Sequence, residues 1–573
     1  MFDFYITKNS SLNRPKQTMD WESILCTYHT IYFKAENHQT FFKDKIKILI
    51  IGDYWNLPDF NQNQINSNDF LYFIKTTRGS YYYFVIESDN IKIFTGFLGL
   101  CPIYYSAENG IASSSFLLLK DLKLNYSISE RYILESFLFN HTFFNSTIYS
   151  EIKLLSSHSS LNISPSAIVE EKFWDVAELF VKDPLTIKES KKELVNLFIY
   201  TVNEYVPKNG ATISFTSGFD GRTIVSAAHF LKKNIRTFSF GKKENDDVFI
   251  PQQNALELGL EYLHIDAEAK EYLQIEYGQN AVEIALQNGG FNGFLYPHFL
   301  LFAKKCSQNH RYLVTGYGGS EILRATHIFG AITPKALYQV ITIEDRVQLK
   351  NALLANESLR FLSDGIVNRN IDNLIDDIMQ FKMKLNKLNT LNKKIYYYIL
   401  NDTVKKIFGV WQFSQLRYIN VRSPFLDFNF VKRLFETEFA GVYNDFYTEN
   451  PIKRFKGQLL YALILNKTSK VISKQKTGKG YKPRDLLTIT GNLKLIYPFL
   501  TKRLLRGVKP VNLDNLSIVS GIKLYENGVN KSKHNELFDE EYISFEMKEL
   551  NPSTPENVRD ALLNYHSIKL FLN

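Results

Sequence analysis

Apolar residues in the first 170 positions fall into short runs of aromatic and β-branched side chains. Phe70-Leu-Tyr-Phe-Ile74 and Tyr81-Tyr-Tyr-Phe-Val-Ile86 read as strands with turn residues between them. Ser88-Asp-Asn90 reads as a turn, and Ile91-Lys-Ile-Phe-Thr95 alternates like a hairpin partner. The glycines and proline of Gly96-Phe-Leu-Gly-Leu-Cys-Pro-Ile-Tyr-Tyr105 force a bend before a new strand. Arg131–Leu138 predicts a helix, and Ile148–Leu155 and Leu161–Val169 predict further strands. Together these elements fit a layered, sheet-rich domain with few helices.

The pattern changes near residues 170–190. Lys182-Asp-Pro-Leu185 breaks the chain, and Leu194, Val195, Leu197, Phe198, Val202 and Tyr205 give a helix over Ile187–Tyr205 its apolar face. From Ala211 strands and helices alternate. Gly210–Phe215, Arg236–Phe240 and Tyr262–Ile265 read as strands, with helices from Thr223 and over Val248–Leu258 between them. Arg311–Thr315 adds another strand. This order predicts a parallel sheet with ligands at the carboxyl ends of its strands. After about residue 335 the chain reads as helical, with candidates at Asp372–Leu391 and Lys393–Phe408. A long lysine-rich amphipathic stretch follows at Lys453–Ser473. Lys474-Gln-Lys-Thr-Gly-Lys-Gly-Tyr-Lys482 reads as a basic loop on a solvated surface, and the last ~60 residues carry no clear pattern.

Composition narrows the class. The chain has 573 residues, 45% hydrophobic and 22% charged, which predicts a globular protein of more than one domain. A net charge of +9 permits an anionic ligand without marking a nucleic-acid protein. Three widely spaced cysteines, Cys26, Cys101 and Cys306, form no metal or redox motif and suit a reduced cytoplasmic protein. The N-terminal residues lack a signal-peptide pattern, and the apolar runs are too short to span a bilayer. The sequence calls for neither nucleic acid nor membrane as a partner.

Two loops carry the candidate chemistry. Thr216-Ser-Gly-Phe-Asp-Gly-Arg222 joins a buried strand to a helix through small residues. Such a turn presents backbone N–H groups and a helix dipole to phosphate, and Asp220 is placed to hold magnesium between phosphates. The same residues also fit an ordinary turn. Gly316-Tyr-Gly-Gly-Ser-Glu321 is a second small-residue loop at a strand end, and the pair predicts a cleft lined from both sides.

In order along the chain, these pieces resemble the asparagine synthetase family. Thr216–Gly221 is similar to the family's pyrophosphate loop, Ser-Gly-Gly-x-Asp-Ser, and Phe238-Ser-Phe-Gly241 to its second nucleotide strand. Asp247, Ala255, Leu258-Gly259 and His264 fit the helix and strand that follow. Thr315–Glu321 is similar to Ser-Gly-Glu-Gly-Ala-Asp-Glu, and Val421-Arg-Ser-Pro-Phe-Leu-Asp427 to Arg-x-Pro-Phe-Leu-Asp. Lys474-Gln-Lys476 falls where the family has its catalytic lysine. Leu98-Gly99, Pro102 and Tyr104-Tyr105, with Phe173-Trp-Asp175, resemble parts of the family's glutaminase domain.

The resemblance implies an α/β chain with two domains. Residues 1–180 would be a β-rich, glutaminase-like α+β sandwich. Residues 181–573 would be a parallel-sheet synthetase domain of the ATP-pyrophosphatase, or adenine nucleotide α-hydrolase-like, type with a helical C-terminal part. It implies ATP and Mg2+ as cofactors. Thr216, Ser217, Gly218, Asp220, Gly221, Ser239, Gly241, Gly316 and Gly318 would bind nucleotide, Asp220 would hold the metal, and Lys476, Tyr317 and Glu321 would be catalytic. The activity implied is adenylation of a carboxylate, releasing pyrophosphate, followed by attack of an amine.

The departures are specific. A glutaminase of this family uses an N-terminal cysteine, whereas residue 2 is Phe, and Cys26 would be exposed only by proteolysis. Ser217 and Gly221 depart from the loop pattern. Tyr317 stands for a glutamate base, Ser320 for a metal-binding aspartate, and Asn420 for a glutamate. The Gly-Tyr-Gly form resembles the β-lactam synthetase branch and, through Gly-x-Gly-Gly, the lasso-peptide cyclases, which act on an amine already on the substrate. A glutamine-independent ligase or cyclase acting on a peptide or amino-acid-like carboxylate is the first reading. An ammonia-using relative and a non-catalytic nucleotide-binding scaffold are the alternatives. Arg422 and Asp427 are expected to form a structural ion pair.

Overall fold

The computed structural model describes residues 2–10, 14–60, 70–122, 124–291, 293–323, 334–443, 456–491, 494–495, 534–551 and 554–572. Twelve described strands precede the break at 182–185: β1 (Phe2–Lys8), β2 (Glu22–Leu25), β3 (His29–Ala35), β4 (His38–Lys43), β5 (Ile46–Trp55), β6 (Arg78–Glu87), β7 (Asn90–Thr95), β8 (Tyr104–Ser106), β9 (Ile111–Ser113), β10 (Lys153–Leu154), β11 (Ser159–Ile163) and β12 (Ile168–Lys172). They form two antiparallel six-stranded sheets, β10-β8-β9-β1-β3-β2 and β12-β11-β7-β6-β5-β4. Phe2 and Phe4 of β1 meet Tyr82 of β6 edge-on, at 5.8 and 4.9 Å, so the sheets face each other. Side chains alternate across a strand, so Tyr81 and Tyr83 lie on the other face of β6. There Phe73 packs on Tyr83 at 5.1 Å. With both faces covered, β6 reads as an unbroken apolar run.

Three expected elements differ. Phe70–Ile74 lies in a helix, Phe70–Thr76, that buries Phe70, Phe73 and Ile74. A run of five apolar residues satisfies both periods, and helical spacing wins where a sheet face needs a cover. Leu161–Val169 is split into β11 and β12 by a turn in which Ser164 N–H donates to the Ala167 carbonyl. Ile148–Leu155 yields only the two-residue β10.

The second half follows the predicted alternation. The helix Ile187–Tyr205 starts at a capping box between Thr186 and Glu189. The parallel sheet contains β13 (Ala211–Ser214), β14 (Ile235–Phe240), β15 (Glu261–Ile265), β16 (Tyr312–Val314) and β17 (Asn420–Arg422), in the order β15-β14-β13-β16-β17. From β13 the chain moves outward through β14 and β15, then returns to the other side of β13 at β16. The switch point of the sheet therefore lies between β13 and β16, where α/β folds open a crevice at the strands' carboxyl ends. β17 enlarges the sheet beyond the sequence expectation.

Helices follow at Asp364–Leu385 and Leu391–Tyr398 rather than at the expected bounds. The second continues through two π-helical turns, Ile399–Thr403 and Lys405–Gly409, into Val410–Gln415. The lysine-rich stretch gives two helices, Lys456–Thr468 and Lys470–Lys474, divided at Ser469, which caps the second through Ile472 N–H; residues 453–455 lie outside the described residues. The final helix, Glu556–Leu572, packs Phe571 on Phe116 at 5.4 Å, returning to the N-terminal part of the chain. Among the described residues no helix is long and apolar enough to cross a membrane.

Arg422 and Asp427 do not pair with each other. Arg422 makes a two-pronged bond to Asp53 of β5, with both contacts at 2.7 Å, and its guanidinium lies between the rings of Trp55 and Tyr312. Asp427 accepts from Arg78 of β6 at 2.8 Å and caps the helix Phe428–Phe435 through Phe430 N–H. Both ion pairs fasten the parallel-sheet half to the second antiparallel sheet. Sequence spacing cannot reveal partners more than 300 residues away.

Candidate active site

The first loop leaves β13 and turns at once into the helix Asp220–Phe230. Gly221 lies so close to the strand that an added Cβ would stand 2.3 Å from the Ser214 carbonyl oxygen. The serine hydroxyl that the resemblance places here is excluded by the backbone itself. Ser217 donates its N–H and hydroxyl to Asp247, and Gly218 donates its N–H to Thr216 Oγ1 at 3.3 Å.

The second loop follows β16, which is the neighbour of β13 and pairs Thr212 with Leu313. The two loops approach each other closely at Asp220. A Cβ on Gly316 would lie 2.6 Å from Asp220 Cβ, and one on Gly319 would lie 2.6 Å from Asp220 Oδ1. Gly318 packs equally tightly under Leu426 of the Pro-Phe-Leu-Asp segment. Small residues thus allow two loops to touch, with Asp220 at their meeting point. Ser320 donates to Asp220 Oδ2 at 2.8 Å, and the Tyr461 hydroxyl donates to Oδ1. Where the resemblance places an aspartate, Ser320 thus leaves one carboxylate with a hydroxyl beside it.

The basic loop is not simply a solvated surface. Gly478 N–H approaches the Ser217 carbonyl at 3.4 Å. Arg222 reaches across from the first loop to the carbonyls of Gln475 and Lys476, at 3.4 and 3.1 Å. Lys476 itself is exposed, and no described residue engages its ammonium. Its backbone is thus fixed to the first loop while its charged head points away from any described partner.

The remaining candidates divide. Ser239 and Gly241 lie at the carboxyl end of β14; the Ser239 hydroxyl bonds to that of Tyr262, and the Gly241 carbonyl meets His264 Nε2 at 2.7 Å. Both groups stabilise the strand end. Tyr317 stacks on Phe408 at 5.7 Å, meets Phe299 and Trp411 edge-on, and donates its hydroxyl to Gln415 at 3.2 Å. Burial pushes that hydroxyl well above the ordinary tyrosine range. A base needs the opposite shift, so the expectation that Tyr317 deprotonates an amine is not supported. Glu321 is the third residue of a short helix, Gly319–Leu323, and its carbonyl accepts from Tyr396 at 2.7 Å.

Cys26 follows β2, and burial raises its thiol pKa. Cleavage to expose it would remove β1, a central strand paired on both sides with β3 and β9. Phe2 occupies the first position of that strand, in the core.

Sequence reasoning missed Tyr461 and the ligand-like position of Asp247, and it did not assign a role to Arg222. Asp247 alone had a sequence signal, its position at the start of a helix after β14. No family model matches the chain, and no curated protein matches its sequence. Among the described residues no group of three or more His, Cys, Asp or Glu could hold a metal ion. A magnesium ion held largely by substrate phosphates requires only one or two protein carboxylates. Asp220, flanked by the Ser320 hydroxyl, fits that requirement.

Proposed function

We propose that this chain is an ATP-dependent amide-bond-forming ligase of the asparagine synthetase type, which adenylates a carboxylate for attack by an amine. In this reading residues 1–180 are a glutaminase-like fold without glutaminase chemistry, and residues 181–573 are the synthetase part. One observation carries the proposal: two small-residue loops leave adjacent parallel strands at the sheet's switch point and meet on a single carboxylate, Asp220. This is where α/β folds hold nucleotides.

A carboxylate is a poor acyl donor because its leaving group would be oxide. Linking it to AMP turns the leaving group into a phosphate, and pyrophosphate departs in that step. The N–H groups of the Ser217–Gly221 loop and the positive end of the helix Asp220–Phe230 hold the departing phosphates. Asp220 and the Ser320 hydroxyl would hold a magnesium ion, which supplies charge neutralisation at the phosphates. Lys476 balances charge on pyrophosphate and at the tetrahedral carbon. Such preorganised donors are typically worth about 3–4 kcal/mol each. Tyr317 shapes the wall beside the second loop, and its enclosed hydroxyl takes no part in proton transfer. The amine is already carried by a peptide or amino-acid-like substrate, so ammonia is not required.

A non-catalytic nucleotide-binding scaffold is the second reading, favoured by the bonds from Ser217 to Asp247 and by the absence of a base at Tyr317. ATP–pyrophosphate exchange separates the readings. Exchange that depends on a peptide carboxylate supports the ligase. Exchange with aspartate alone would indicate an ammonia-using relative. ATP binding without exchange for any carboxylate would leave the scaffold.

A further inference from the structure

Among the described residues Arg222 heads the fully buried side chains by volume. It lies in the first turn of the helix Asp220–Phe230, immediately beneath the phosphate-type loop. Its guanidinium meets four backbone carbonyls: Nε donates to Gly218 and Nη2 to Ser217, each at 3.3 Å, Nη2 also to Lys476 at 3.1 Å, and Nη1 to Gln475 at 3.4 Å. Two acceptors belong to the first loop and two to the basic loop. Among the described residues no carboxylate pairs with it. Burial lowers its pKa to about 10, which still leaves it protonated at neutral pH. A buried cation without a counter-charge is costly, and here only carbonyl dipoles compensate it.

This arrangement has a geometric consequence. Among the described residues no peptide bond is cis, and in a trans peptide the C=O and the following N–H point in opposite directions. Carbonyls of Ser217 and Gly218 that turn down onto the guanidinium therefore turn the N–H groups of Gly218 and Phe219 away from it. The carbonyl of Gln475 does the same for Lys476 N–H. One planar fork thus sets the peptide planes of both loops. An anion above those N–H groups would also see the uncompensated charge below them.

We infer that Arg222 is a positioning residue that couples the 216–221 loop to the 474–482 loop, so that a pyrophosphate-type anion bound by the first loop orders the second and brings Lys476 to bear on it. This inference rests on the functional reading above for its ligand but not for the coupling itself. Lysine in place of Arg222 retains the charge and loses the planar fork. Methionine removes both.

The experiment combines calorimetric binding of inorganic pyrophosphate with amide hydrogen exchange of residues 475–478, using the full chain and the variants Arg222→Lys and Arg222→Met. In the wild type, pyrophosphate is expected to slow exchange at 475–478. Arg222→Met is expected to weaken pyrophosphate binding by roughly 30-fold or more and to abolish the protection. Arg222→Lys is expected to recover most of the affinity but not the protection. Affinity and protection that both survive in Arg222→Met would overturn the inference. If Arg222→Met does not fold, the contrast between wild type and Arg222→Lys decides: full protection in Arg222→Lys would overturn it. If the wild type binds no pyrophosphate, the functional reading fails, and ligand-free exchange decides the coupling. Faster exchange at 475–478 in Arg222→Lys upholds the coupling, and unchanged exchange rejects it.

Discussion

Ser217 donates both its backbone N–H, at 3.0 Å, and its hydroxyl, at 2.5 Å, to one carboxylate oxygen of Asp247. In the proposed ligase reading, a carboxylate oxygen in that position takes the place of a phosphate oxygen on the loop. Asp247 is exposed at the start of its helix, so it can be displaced. The variant Asp247→Asn is expected to tighten pyrophosphate binding by roughly three- to tenfold, the scale of one screened charge. Titration calorimetry measures it. Weaker binding would show that Asp247 builds the loop instead of competing with its ligand.

Asp220 receives hydroxyl donors from Ser320 and Tyr461. An asparagine there keeps one acceptor oxygen and loses the charge. Asp220→Asn is expected to stay folded, with stability changed by no more than about 1–2 kcal/mol. ATP–pyrophosphate exchange is expected to fall by roughly 10²–10³-fold. Exchange within a few-fold of the wild type would place the nucleotide elsewhere.

Gly221 occupies the position of a serine in the pattern that the chain resembles, and restoring that serine tests which constraint dominates. The Cβ would meet the Ser214 carbonyl oxygen at 2.3 Å and Phe215 Cα at 3.3 Å, both backbone atoms that cannot rotate away. Gly221→Ser is expected to cost about 1–3 kcal/mol in chemical denaturation and to gain no exchange activity. A neutral, more active variant would show that the loop adapts.

Much of the parallel-sheet half was legible because local signals and global fold agree there. The helix Ile187–Tyr205 has its cap, its apolar stripe and its stop in adjacent residues. β13, β14 and β16 each run into small residues at the same edge of the sheet, near Thr216, Gly241 and Gly316. Phe70–Thr76 was not legible, because its helical period is hidden in a run that is apolar throughout. The partners of Arg422, Asp427, Arg222 and Asp220 were not legible either. Their inter-segment partners, Asp53, Arg78, the Gln475 and Lys476 carbonyls, Ser320 and Tyr461, lie 100 or more residues away, and composition carries no trace of that distance. Both loops were legible as small-residue segments at strand ends, but their direct contact depends on the register of β13 against β16.

The Asp53–Arg422 pair joins the two halves of the chain through two contacts of 2.7 Å, with both side chains buried. Truncating one partner strands the other charge in the seam. Asp53→Ala is expected to cost about 3–5 kcal/mol. The double variant Asp53→Leu with Arg422→Met should recover most of that loss, since an apolar pair suits a buried site between Trp55 and Tyr312. Thermal unfolding of the three proteins checks this. A single-variant cost below about 1 kcal/mol would mean that water reaches the seam.

Lys405 gives a pH test of the same seam. It lies on the second π-helical turn and donates to the Leu155 carbonyl. Burial lowers its pKa from 10.5 to about 7, with Glu170 opposing that shift. Below about pH 7 the amine is protonated in both folded and unfolded chains, and the full cost of burying the charge is present. Between about pH 7 and 10.5 the unfolded chain holds the proton and the folded chain has released it, so stability rises with pH. Lys405→Met keeps the side chain's length and has no titrating group. The stability of the wild type relative to Lys405→Met is therefore expected to be flat below pH 7. It should then climb by as much as ~1.4 kcal/mol per pH unit within the window. Urea unfolding of both proteins at pH 6, 7.5 and 9 measures it, and a difference that stays constant across those three points would show that Lys405 keeps its proton in the seam.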